Sequence, residues 1–261
     1  MTDNKYAGYL IDLDGTMYRG KERIPEAKAF IEQLQAKHLD FMFLTNNTTK
    51  SPEAVVQNLA DNHDIHATAD QVYTPSLATA RYLLNLNGGQ ANGKTAYVIG
   101  EIGLKQAILD AGFRTNEYDP DYVIVGLDYD VTYHKFELAT LAIKRGALFI
   151  GTNADTNLPN ERGLVPGAGS VIALVERSTQ RSALYIGKPE TIIMDMALEQ
   201  FGLTKEQVVM VGDNYNTDIK AGINSGMATL LVYTGVSTPA DVAKEAAQPT
   251  HIINSLAEWQ A

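Results

Sequence analysis

No cysteine occurs among the 261 residues. A disulfide framework and any thiolate zinc site are therefore excluded. Basic residues are scarce relative to acidic ones: 21 Lys and Arg stand against 31 Asp and Glu, a formal net charge of −10. A surface of that sign repels a phosphate backbone, which excludes a nucleic acid polymer as a general partner. Long hydrophobic runs are missing too. Apolar runs such as residues 41–44 and 208–211 fall far short of the roughly 20 residues that a bilayer span needs. Residues 1–8 are polar and lack the charged-then-apolar order of a signal peptide. A soluble cytoplasmic protein with no membrane partner is the expectation, and a homo-oligomer is left open.

What is present is an ordinary globular composition, 45% hydrophobic and 20% charged. Short apolar runs alternate with amphipathic stretches, the pattern of an α/β protein with a mostly parallel sheet. Strands are expected at 7–13, 41–45, 184–186, 208–211 and 228–233, with 251–253 as a last edge. Helices are expected at 27–37, 52–61, 77–86, 191–201, 218–225 and 240–246. Ser51-Pro52 supplies a hydroxyl cap and a proline at a helix entrance, and Gly202 suits a helix stop. The middle of the chain repeats the alternation, with strands at 95–99, 122–126 and 147–151 and helices at 103–111 and 133–145. The Gly- and Asn-rich stretch 85–94 reads as the way into this unit and 176–182 as the way out. The chain is thus expected to divide into a core, 1–79 plus 183–261, and an inserted smaller α/β domain, 80–182, of ordinary small-domain size.

Four strand ends carry chemistry-bearing residues. After the first strand comes Asp12-Leu13-Asp14-Gly15-Thr16. Two carboxylates two residues apart approach one site only if the backbone turns, which Gly15 permits, and such a pair calls for a cation or a shared proton. After the second comes Thr45-Asn46-Asn47-Thr48, a hydroxyl followed by backbone N–H groups of the kind that cradle anions. Lys188 follows the strand at 184–186, next to Pro189. Asp213, Asn214 and Asp218 follow the strand at 208–211. Each segment alone is good turn or cap chemistry. Together they offer oxygen donors without cysteine or paired histidine, which suits Mg²⁺. A hydroxyl and a lysine complete a site for a phosphoryl group, with one carboxylate to attack it and one to move protons.

This ordered set resembles the haloacid dehalogenase superfamily of phosphohydrolases: Asp12-Leu13-Asp14-Gly15-Thr16, then Thr45, then Lys188, then Gly212-Asp213 through Asp218. Only 33 positions separate Asp12 from Thr45, whereas 143 separate Thr45 from Lys188. An insert of that size between the second and third motifs resembles the type-two cap of the NagD-like branch. The resemblance implies an α/β fold with a Rossmann-like core and an inserted cap. It implies a cytoplasmic Mg²⁺-dependent phosphomonoester hydrolase acting on small phosphorylated metabolites, sugar phosphates or nucleotide monophosphates, with p-nitrophenyl phosphate as an artificial substrate. By the same resemblance Asp12 is the nucleophile that becomes an aspartyl phosphate. Asp14 protonates the leaving oxygen and then activates water. Thr45 and Lys188 hold the phosphoryl oxygens, and Asn46, Asn47 and Asn214 add substrate contacts. Asp12, the Asp14 backbone carbonyl, Asp213 and Asp218 form the metal set, Asp218 acting through water or by ordering its loop. Asn216 stands where some relatives carry a further acid, which implies one negative charge fewer near the metal. A phospho-accepting signalling domain and a phosphomutase use the same kind of aspartate and remain alternatives.

In the insert, residues 151–157 continuing to Asn160-Glu161-Arg162-Gly163 form the candidate substrate-facing segment. Pro166-Gly167-Ala168-Gly169-Ser170 reads as a helix entrance, since it lacks the spacing of a dinucleotide-binding turn. His63 and His66 are expected at a solvated helix end, and Trp259 is expected to pack the C-terminal segment on the core.

Overall fold

The first apolar run becomes the strand Gly8–Ile11, buried along its whole length. A strand buried on both faces belongs in the middle of a parallel sheet, and it pairs in parallel with Asp40–Leu44 on one side and Val208–Gly212 on the other. The computed structural model describes residues 6–160 and 162–261. Residues 1–5, which carry most of the expectation about a leader, and Glu161 of the candidate substrate-facing segment lie outside the described residues.

Two compact units are present. The first takes the chain up to Thr45, then Pro52–Tyr73 and Lys188–Ala261. Its six-stranded sheet runs His251–Ile253, Ala228–Val232, Val208–Gly212, Gly8–Ile11, Asp40–Leu44, Val72–Tyr73, every pairing parallel. From Gly8–Ile11 the chain first proceeds toward Val72–Tyr73, then returns to Val208–Gly212 and proceeds the other way. The order therefore reverses between these two central strands, where open parallel sheets bind ligands beyond their carboxyl ends. Ile11, Phe43, Val209 and Val211 are fully buried in one core cluster. Each such side chain contributes on the order of 1.5–3 kcal/mol by burial, so the strand ends are held on a rigid platform. Trp259 packs on this core and its indole N–H donates to the Tyr9 hydroxyl at 3.4 Å.

The second unit comprises Asn46–Ser51 and Thr74–Gly187. Its five-stranded parallel sheet runs Leu184–Tyr185, Leu148–Gly151, Tyr122–Val125, Thr95–Ile99, Arg114–Thr115. The helices Tyr133–Arg145 and Ala168–Thr179 supply Leu138, Ala142, Ile143, Ile172 and Val175 to its own core. Residues 166–170 do lead into a helix, Ala168–Thr179.

Several expectations are corrected. The second unit runs from Thr74 to Gly187 instead of 80–182, and it also takes Asn46–Ser51, expected in the core; at its start the helix Pro75–Leu86 packs on Ile102–Asp110 of the insert. Leu184–Tyr185 is a strand of the second sheet, paired with Leu148–Gly151, and not of the first. The candidate substrate-facing segment runs into a hairpin of Asn157–Asn160 and Gly163–Pro166. His63 is 4% exposed and stacks on Tyr18, whereas His66 stays exposed. Among the described residues no helix is long and apolar enough to cross a membrane.

Candidate active site

Sheet register brings the motifs side by side. Ile11 pairs with Val211 and with Phe43, so Asp12 comes level with Gly212 and Leu44, and Asp213 and Thr45 leave the two neighbouring strands one residue further on. The Asp12 amide still donates to Val211 O at 2.9 Å. Past it the chain turns at Gly15, whose φ of 99° is open to glycine and costly for other residues. That turn places Gly15 against Asp213: a β-carbon there would stand 2.4 Å from its carboxylate.

Lys188 is the centre of the cluster. It is 1% exposed, and its Nζ donates to Asp12 Oδ1 at 2.6 Å, Leu44 O at 2.7 Å and Asp218 Oδ1 at 2.8 Å. Three acceptors match the three protons of an ammonium. Leu44 directly precedes Thr45, itself 8% exposed, so the second motif is tied to the same lysine through its backbone.

Asp218 is fixed on its other side by the Asn214 amide, which donates to Oδ2 at 3.0 Å, and Thr217 Oγ1 adds a bond to Oδ1 at 3.2 Å. Residues Tyr215–Ile219 form a single π-helical turn in place of the expected α-helical start. Asn214 caps that turn, its side chain accepting from the Asn216 amide at 3.0 Å. Asp213 accepts from Thr16 Oγ1 at 3.0 Å on Oδ1 and from the Val236 amide at 2.7 Å on Oδ2.

Oxygens of Asp12, Asp213 and Asp218 lie within 4.8 Å of one another. Three carboxylates thus face one ammonium, and the imbalance shows in their proton affinities. Burial pushes Asp12 well above the usual carboxylate range; Lys188 pulls the other way, and Asp218 and Asp213 push it further up. Burial and the neighbouring Asp218 likewise push Asp213 up to about 6. Burial alone would pull Lys188 down, but Asp12 and Asp218 outweigh it and hold the ammonium above its ordinary value. The lysine therefore stays charged, and the excess negative charge sits on the acids.

The donor set fits a hard divalent cation. Its ligand atoms are carboxylate oxygens, it carries uncompensated negative charge, and the space beside it is kept clear by glycine. A β-carbon on Gly235 would lie 2.0 Å from Asp213 Oδ2, and one on Gly212 would lie 2.3 Å from Asp218.

Of the remaining expected residues, Asp14 is exposed and its Oδ1 accepts from the Gly20 amide at 3.0 Å. Asn46 and Asn47 belong to the second unit. There the Asn46 side chain donates to both oxygens of Asp155 at 3.1 and 3.3 Å, and Asn153 Nδ2 donates to Asn46 O at 2.9 Å. Asn47 Oδ1 accepts from the Thr49 amide and hydroxyl. Sequence reasoning missed the segment 234–237, after the strand Ala228–Val232. Thr234 Oγ1 donates to Gly15 O at 2.7 Å, Val236 supplies an amide to Asp213, and Ser237 Oγ accepts from the Tyr215 amide at 2.7 Å. The available signal was its position at one more strand end of the same sheet.

The family model for haloacid dehalogenase-like hydrolases matches residues 9–114, and a HAD-hydrolase-like model matches residues 185–259. The chain is 46% identical over 254 residues to the 5'-nucleotidase YutF of Bacillus subtilis, covering 97% of each chain. It is 48% identical over 255 residues to an acid sugar phosphatase of Staphylococcus aureus, covering 97% of this chain and 96% of the other. Among solved structures, a mutant of the thermostable p-nitrophenylphosphatase from Bacillus stearothermophilus superposes with a TM-score of 0.89 at 49% identity, over 98% of each chain.

Proposed function

The chain belongs to the haloacid dehalogenase-like hydrolase family and is a phosphatase; from that premise we propose a Mg²⁺-dependent phosphomonoester hydrolase that forms an aspartyl phosphate on Asp12. The observation that carries the proposal is Lys188, buried and bonded at once to Asp12 and Asp218 beside the third carboxylate of Asp213.

Asp12, Asp213, Asp218 and the Asp14 carbonyl hold the cation, which when bound neutralises the phosphoryl oxygens against the acids. Lys188 and the Thr45 hydroxyl hold the remaining phosphoryl oxygens. Asp12 attacks phosphorus through a carboxylate oxygen as the bond to the leaving oxygen breaks, and Asp14 gives that oxygen its proton. Asp14, now a carboxylate, then takes a proton from water as the water oxygen attacks phosphorus, releasing inorganic phosphate and restoring Asp12. The exposed position of Asp14, held toward the Gly20 amide, supports a group that exchanges protons with substrate and solvent. The bonds that Asp218 makes to Lys188 and to the Asn214 amide support its acting by ordering the lysine and the loop. Asn214 supports that loop in turn, with Asn46 and Asn47 as further substrate contacts.

The substrates are small phosphorylated metabolites, sugar phosphates or nucleoside monophosphates, with p-nitrophenyl phosphate as an artificial one, in the cytoplasm. The names of the relatives favour hydrolysis over a phospho-accepting switch or a mutase. The test is phosphate release from a panel of such esters with Mg²⁺ and with EDTA. Metal-dependent multiple turnover is expected. Stoichiometric phosphorylation without turnover, or an isomeric product without free phosphate, would contradict the reading.

A further inference from the structure

Asp14 is held by a two-stranded hairpin, Tyr18–Arg19 and Glu22–Arg23. Tyr18 bridges to Asp14 through the backbone, and its carbonyl accepts from the Gly15 amide at 2.6 Å. The Gly20 amide, at the hairpin's tip, binds the Asp14 carboxylate. The aim of Asp14 is therefore set by where the hairpin sits.

The hairpin is fastened to one end of the helix Pro52–His63 at two adjacent points. Tyr18 and His63 rings stack with centroids 4.3 Å apart and planes within 14°. Arg23, directly across the hairpin from Tyr18, donates from Nε to Asn62 O at 2.6 Å. His63 is 4% exposed, and among the described residues neither of its ring nitrogens has a hydrogen-bonding partner. An imidazole buried with both nitrogens unpaired is an expensive way to fill space. Among the described residues, the specific contact of its ring is the flat face it offers to Tyr18.

We propose that His63 is a positioning residue for Asp14, acting through its ring stack on Tyr18, with Arg23 as the second fastening of the same hairpin. This rests on the proton-transfer role given to Asp14 above. The stack needs an aromatic face and no ring nitrogen, so phenylalanine serves and alanine does not.

The leaving group separates this role from a merely structural one. p-Nitrophenolate departs without a proton, whereas a sugar alkoxide needs the proton of Asp14. In kcat/KM, which reports on steps up to the first bond cleavage, His63→Ala should lower hydrolysis of a sugar phosphate about tenfold more than that of p-nitrophenyl phosphate. His63→Phe should restore the wild-type ratio. Arg23→Ala, at an exposed position, should shift the ratio in the same direction and serves if His63→Ala fails to fold. Equal losses on both substrates, or a Phe variant as skewed as the Ala variant, would overturn the proposal. Asp14→Asn is the control: if it too loses both substrates equally, the role of Asp14 is what fails.

Discussion

Gly235 lies so close to Asp213 that a β-carbon on it would stand 2.0 Å from the carboxylate Oδ2. No real contact is that short, so the carboxylate or the segment 234–237 would have to move. Gly235→Ala should therefore weaken Mg²⁺ binding at least tenfold, about 1.4 kcal/mol. Calorimetric titration with Mg²⁺ measures this. Unchanged affinity would show that the close packing has no bearing on the metal.

Lys188 is the ammonium partner of two buried carboxylates, Asp12 and Asp218. Removing one partner of such a cluster typically costs about 3–5 kcal/mol. Lys188→Met should abolish turnover and destabilise the metal-free fold, more so at pH 8 than at pH 5, because protonation relieves the stranded acids. Urea unfolding at the two pH values is the check. A loss of stability independent of pH would contradict the pairing.

Asp213 also fixes a pH dependence for the wild-type protein without metal. Its proton affinity is raised from an ordinary 3.8 to about 6, so between those values the folded chain binds more protons than the unfolded one. Stability then falls as pH rises from about 4 to about 6, by roughly 2–3 kcal/mol from this group, and levels off above. Asp12, shifted in the same direction, adds to the fall. Mg²⁺ competes with those protons, so its stabilising effect should be larger at pH 7.5 than at pH 5. Melting curves with Mg²⁺ and with EDTA test this; an equal shift at both pH values would count against carboxylate ligands.

Much of the chemistry is legible in the sequence because it is carried by ionisable side chains at strand ends. Asp12, Thr45 and Asp213 each follow an apolar run and so land on the same edge of one parallel sheet, whereas Lys188, 176 positions from Asp12, follows a strand of the second sheet. Helices with clean periodicity, Thr191–Phe201 and Tyr133–Arg145, have the bounds that the pattern predicts. What escapes is chemistry without side chains. Val236 acts through a backbone amide and Gly235 through the absence of a β-carbon, and neither marks itself in composition. Leu184–Tyr185 is too short to say which sheet it joins. His63 ends an amphipathic helix and reads as solvated, because the ring that covers it belongs to a distant hairpin.

The central claim is that Asp12 carries the phosphoryl group during turnover. Acid-quenching the enzyme during steady-state hydrolysis of p-nitrophenyl phosphate, then reducing with borohydride and mapping peptides by mass, tests it directly. An acyl phosphate at Asp12 is reduced there to homoserine, and the account predicts that product at position 12 and its absence in Asp12→Asn. Full turnover with an unmodified Asp12 peptide, or trapping at another residue, would contradict it.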